Sequence, residues 1–212
     1  MRWFARKMLV NNPEKRCYSK GMEKFFGSRY ELGLYELRND LLFSKIPADR
    51  YPQLINKAWE IGNDTARKYF AQYGTNNPEQ LVCELGLILT EKEQGFVDPQ
   101  YRICSEYYSN PRQIILYTDT IGAELEKLWA KGFHKYHDYA SIRSLFIVHE
   151  IFHHIECHDI GLTSKKEKLA VFKWGPFHIT SGIRALSEIG AHAFTKALLN
   201  LEEEETDNEP SL

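Results

Sequence analysis

The sequence predicts an α+β fold, mostly helical, with a small antiparallel sheet of about three strands packed on the helix that carries the candidate site. Three observations carry this expectation. From Tyr51 to Tyr73 apolar residues recur at helical spacing over a long unbroken run. Residues 87–118 are rich in β-branched and aromatic side chains, and their period is closer to two. Beyond Asp119 the period returns to about 3.6 and holds it through further segments.

Residues 1–48 read as an N-terminal segment, helical or irregular. Scattered leucines and aromatics over residues 24–42 suit one or two short helices, and Pro47 ends them. Residues 49–200 read as one domain. Its first helix is Tyr51–Tyr73, with Pro52 tolerated in the first turn and Gly74 as the stop. Leu54, Ala58, Ile61, Thr65 and Tyr69 form its core-facing stripe. Asn77-Pro78 opens a shorter helix that ends near Gly86, and residues 87–90 follow as a short strand. Residues 95–99 form a turn, and 101–108 a strand. Asn110-Pro111 is a second turn, and residues 112–118 are the strongest strand, so these two strands form an antiparallel hairpin. Ile121, Leu125, Leu128 and Trp129 mark a helix that Gly132 stops. Asp138 or Ser141 caps the next one. Its inner face carries Ile142, Leu145, Phe146, His149, Phe152 and His153, and Gly161 ends it. Residues 162–180 read as a long connection, 182–199 as a final helix, and 201–212 as an acidic disordered tail.

Composition excludes several classes. The chain has 212 residues, 43% hydrophobic and 26% charged, enough to bury a core without disulfide staples. Its net charge of -2 argues against direct nucleic-acid binding. Residues 1–30 do hold eight Lys or Arg against two Glu, and this basic arm reads as a solvated end. Cys17, Cys83, Cys104 and Cys157 contain no Cys-x-x-Cys pair and suit reduced thiols. Arg6 and Lys7 interrupt the first apolar run, so no signal peptide is expected. No stretch is long enough to span a bilayer. A cytoplasmic protein with no membrane partner is the expectation.

The chemistry sits in Val148-His149-Glu150-Ile151-Phe152-His153-His154. Residues four apart share a helix face, so His149 and His153 can grip one zinc ion, Zn²⁺. Glu150 borders that face and can take a proton from water activated at the metal. The competing reading is a pair of surface histidines on an ordinary helix. An apolar stripe that includes both histidines argues against it, because inward imidazoles need partners.

A catalytic zinc needs a third protein ligand. One pattern places a Gly and then a His after the second histidine, followed by a Met-turn. Here those two positions hold Glu156 and Asp159, and Met1, Met8 and Met22 all precede the motif, so that pattern fails. A glutamate from a later helix is the alternative. Glu188 is favoured over Glu167, which lies in a lysine-rich run, and over Glu156, which follows the histidines closely on another face.

With Glu188 in place the chain resembles the ImmA/IrrE family of metallopeptidases over residues 51–200. The resemblance rests on Cys83-Glu84-Leu85-Gly86-Leu87-Ile88, then Tyr107-Tyr108 and Pro111-Arg112-Gln113-Ile114-Ile115-Leu116, then His149-Glu150-x-x-His153, then Glu188-x-x-Ala191-x-x-Phe194. It implies a zincin-like fold of the gluzincin type, with His149, His153 and Glu188 on zinc and Glu150 as general base. It also implies a protein substrate, often a helix-turn-helix transcriptional repressor, in stress response or mobile-element control. Phe152 replaces a common small residue, and His192 stands where Asn is common. No helix-turn-helix module is read in residues 1–48. A donor for the oxyanion is also expected, His178 first and His192 second, with His192 alternatively orienting a ligand carboxylate. His154 reads as structural and His158 as a partner of the helix dipole. The alternative function is a non-cleaving zincin-fold sensor or binding module.

Overall fold

The computed structural model describes residues 27–95, 97–98, 101–130, 138–174 and 177–201. The expected acidic tail from residue 202 and the basic run of the first 26 residues lie outside them. The architecture is mixed α+β and mostly helical. Helix α1 (Arg29–Asn39) opens with a capping box. The Glu31 backbone N–H donates to Ser28 Oγ, and the Ser28 N–H donates back to Glu31 Oε2 at 3.0 Å. Helix α2 has the expected bounds, Tyr51–Tyr73, and ends on Gly74 at φ 66°, a left-handed cap suited to glycine. Helix α3 (Pro78–Glu84) begins where Asn77 Oδ1 accepts the Gln80 N–H at 2.9 Å.

A three-stranded sheet follows, in which residues Arg112–Tyr117 form the central strand between Ile88–Lys92 and Ser105–Ser109. Strands β4 (Ser105–Ser109) and β5 (Arg112–Tyr117) form the expected antiparallel hairpin. Strand β1 (Ile88–Lys92), however, runs parallel to β5, so the sheet is mixed and not antiparallel. Local period reveals a strand but not the direction of a neighbour reached through a long connection. The four consecutive buried residues of β5, Ile114 to Tyr117, are the mark of a central strand. The strand expected at 101–108 is broken. Residues Tyr101–Arg102 (β3) pair with Val97–Asp98 (β2) in a separate small sheet, although 95–99 had read as a turn. Consecutive burial of Ile103 and Cys104 breaks the alternation between β3 and β4.

Helix α4 (Thr118–Ala130) leads to α5 (Tyr139–Ile155), whose first turn is capped by Asp138 accepting the Ser141 N–H at 2.9 Å. After Ile155 the chain makes one wider π turn, Glu156–Ile160, and stops at Gly161 with φ 73°. The expected connection at 162–180 contains a hairpin instead, β6 (Lys168–Trp174) and β7 (Phe177–Gly182). It escapes a reading by alternation because Phe172, Phe177 and Ile179 are exposed and the register shifts between Ala170 and Phe172. Helix α6 (Ala185–Leu198) therefore starts later than residue 182, which still belongs to β7.

Among the described residues two large apolar clusters hold these parts together, with a small third one of Ile103, Ile115 and Tyr117 on the sheet. The larger joins Ile114 and Leu116 of β5 to Phe146, Ile147, Ile151 and Phe152 of α5 and Phe194 of α6. The second joins Leu32 and Leu37 of α1 to Leu54, Ile55 and Trp59 of α2 and Ile189 of α6. Truncating a fully buried Phe such as Phe152 costs about 3–5 kcal/mol. Helices α2 and α6 cross almost in backbone contact. A Cβ at Gly62 would run into the Gly190 carbonyl and the Ala193 methyl. Among the described residues no helix is long and apolar enough to cross a membrane.

Candidate metal centre

The two histidines project from α5 one turn apart, and α6 brings Glu188 to meet them. His149 Nε2 lies 3.2 Å from Glu188 Oε2, His153 Nε2 lies 3.3 Å from His149 Nε2, and His153 Nε2 lies 3.7 Å from Glu188 Oε1. Donors bound tetrahedrally at about 2.0–2.1 Å stand roughly 3.3 Å apart. Two imidazole nitrogens and a carboxylate oxygen at this spacing therefore fit one divalent ion. Among the described residues this is the group of His, Cys, Asp or Glu that could hold a metal. The side chains of His149, His153 and Glu188 keep 13%, 17% and 28% of their surface exposed, so the group stays open on one side.

Electrostatics follow the same geometry. Burial by itself would push His153 down, but the Glu188 charge, the Glu156 contact and the Glu150 charge outweigh it and raise His153 to about 10. Burial would raise Glu188, but His153 and His149 outweigh it and hold the carboxyl at about 2. His153 and Glu188 thus favour their charged forms beside one another, and a cation held by the three groups would take the place of the His153 proton.

Glu150 is buried at the cleft beside them, and its Oε1 accepts the Ser105 Oγ–H at 2.7 Å. A cavity of about 120 Å³ opens here, with Glu150, His153, Glu188 and Tyr107 among its walls. Residues Glu36, Asp40 and Leu41 from the N-terminal segment line it as well. The Asp40 carboxylate also accepts the Ala185 N–H at 2.9 Å, capping the helix that carries Glu188.

Other residues singled out from sequence fall elsewhere. His192 is buried, its Nε2 lies 3.1 Å from Glu36 Oε1, and its ring centre lies 5.3 Å from that of His149. This contact is with Glu36 rather than with the Glu188 carboxylate. His178 lies in β7 opposite Lys173, and its side chain is outside the described set. Glu167 pairs with Arg50 and Lys57 and stands clear of the metal group. His154 and His158 share the Tyr107 hydroxyl at 3.0 and 2.9 Å.

Sequence reasoning passed over three supporting groups. Ser105 and Glu36 gave no local signal, since their partners lie 45 and 156 residues away. Glu156 did give one, the three-residue spacing from His153. Its Oε2 lies 3.3 Å from His153 Nδ1, so it serves the histidine from behind. Comparison of the chain with protein-family models, with curated proteins and with solved structures finds no match.

Proposed function

We propose that this chain is a zinc-dependent endopeptidase of the ImmA/IrrE type, with a zincin-like fold, that hydrolyses a peptide bond in a partner protein. A helix-turn-helix transcriptional repressor is the substrate class that the resemblance favours. The observation that carries the reading is the mutual spacing of the three donors, 3.2, 3.3 and 3.7 Å, on the open side of a cleft. The order of the sequence motifs supports it independently.

When bound, zinc supplies a Lewis acid that polarises a carbonyl and makes water more acidic. His149, His153 and Glu188 would hold it from two helices. Glu150 accepts the proton that water loses and delivers it to the departing amine. Ser105 fixes one oxygen of that carboxylate, which leaves the other for the proton. Across the whole reaction, water adds to the C–N bond and leaves one carboxylate and one amine. Among the described residues Cys83, Cys104 and Cys157 form no disulfide, which suits a reducing compartment such as the cytoplasm.

The test uses the purified full chain and a candidate repressor. One zinc per chain and cleavage by wild type are expected. Glu150→Gln should keep the zinc and lose about 10²–10⁴-fold in rate. A zinc-loaded wild type that leaves every repressor intact, or a Glu150→Gln variant as active as wild type, would overturn the reading.

A further inference from the structure

Glu156 is 2% exposed, yet it stands where the chain leaves the α-helix, and its carboxylate serves three elements at once. Oε2 lies 3.3 Å from Nδ1 of His153 on α5. Oε1 accepts the backbone N–H of Thr163 at 2.7 Å, from the loop after Gly161. The same oxygen accepts the Ser187 hydroxyl at 2.9 Å, from the first turn of α6. A carboxylate this deep persists only if its oxygens are satisfied, and here both are. The π turn Glu156–Ile160 begins at this residue, and such turns recur where a helix must present a side chain off its regular path.

The two oxygens face the two halves of the metal group. A carboxylate against Nδ1 favours the imidazole form that carries its hydrogen there, which leaves the Nε2 lone pair free. Nε2 is the His153 atom that lies 3.3 Å from His149 Nε2 and 3.7 Å from Glu188 Oε1. Ser187, held by the other oxygen, is the residue next to Glu188.

We propose that Glu156 is the positioning residue of this centre: it sets the His153 ring through Nδ1 and, through Ser187, seats the turn of α6 that delivers Glu188. The proposal rests on the metal-binding reading above. It explains why a charge is buried behind the donors when a neutral side chain would fill the space at lower cost.

The experiment measures zinc dissociation constants by chelator competition for the full chain, its Glu156→Gln and Ser187→Ala variants, and the double variant. Glu156→Gln keeps the shape and an acceptor oxygen but removes the charge. Its zinc affinity should fall about 10–100-fold while the metal-free chain still unfolds cooperatively. Ser187→Ala should give a smaller loss. The double variant should lose less than the product of the two, because both changes act through one carboxylate. The cobalt-loaded variant should show altered ligand-field bands, which a purely structural role would leave unmoved. Wild-type affinity in Glu156→Gln, within about threefold, would overturn the proposal. Should that variant fail to fold, unchanged affinity in Ser187→Ala would overturn it equally. A wild type that holds no zinc would end the metal reading and this one with it, whereas tight wild-type binding with an indifferent Glu156→Gln would end this one alone.

Discussion

Helix α5 and its π extension carry two histidine pairs with the same four-residue spacing, His149 with His153 and His154 with His158. The ring centres are 5.0 Å apart in the first pair and 4.7 Å in the second. Their surroundings differ completely. The first pair meets Glu188, with Glu156 and Glu150 close by, and His153 rises to about 10. The second pair meets the phenol of Tyr107, which burial raises to about 12, so it stays protonated. Burial, then His158 and Arg112, lower His154 to about 4. Helical spacing supplies a pair of imidazoles in either case. The third partner decides whether the pair joins a group that could hold a cation or a hydrogen-bonded cluster around a phenol.

The largest effect that would break this contrast is on metal content. His153→Ala should abolish zinc retention through chelating dialysis, and His158→Ala should leave one zinc per chain, both read by elemental analysis. Zinc lost in both variants, or kept in both, would mean that the two pairs are not functionally distinct.

Proton linkage sharpens the same contrast in the metal-free chain. His153 titrates above its unfolded value of about 6.5, so its contribution is complete below that pH and fades as pH rises toward about 10. His154 titrates below its unfolded value. The unfolded chain then takes up the proton first, and stability falls as pH drops from about 6.5 toward 4. Urea unfolding should show both arms. His154→Asn should remove a share of the acid arm on the order of 2–3 kcal/mol. Glu188→Gln should flatten the alkaline arm, since the Glu188 charge is the largest of the influences that raise His153. Arms untouched by these variants would show that other groups set the pH dependence.

A smaller effect comes from packing behind the first pair. Gly62→Ala forces a methyl group between α2 and α6, and should cost about 1–3 kcal/mol of stability. Because α6 carries Glu188, zinc affinity should fall as well, while the His158 imidazole resonances keep their wild-type positions. A melting curve with and without zinc, together with a histidine spectrum, checks this.

Much of the site can be read from residue order. Tyr51–Tyr73 has its expected bounds because its start, stripe and glycine stop all lie within the segment. Glu188 could be chosen because it lies on a helix after a connection long enough to reverse direction. The parallel placement of β1, the β6–β7 hairpin and the break before β4 could not, because pairing partners and exposed apolar strands leave no mark in a local period. Glu156 was set aside as lying on another face. In the structure it stays outside the group of three donors and stands behind one of them, at His153 Nδ1.

The sequence by itself determined that a helix follows Asp138, with its paired histidines and the glutamate beside them. Covalent geometry and the helical repeat place residues four apart on one face whatever surrounds them. Only the tertiary structure decided which pair receives a carboxylate, what grips Glu150, and how closely α2 presses on α6. Those outcomes depend on burial and on contacts between residues far apart in the chain, where the energy of one arrangement over another comes from packing and desolvation rather than from local spacing.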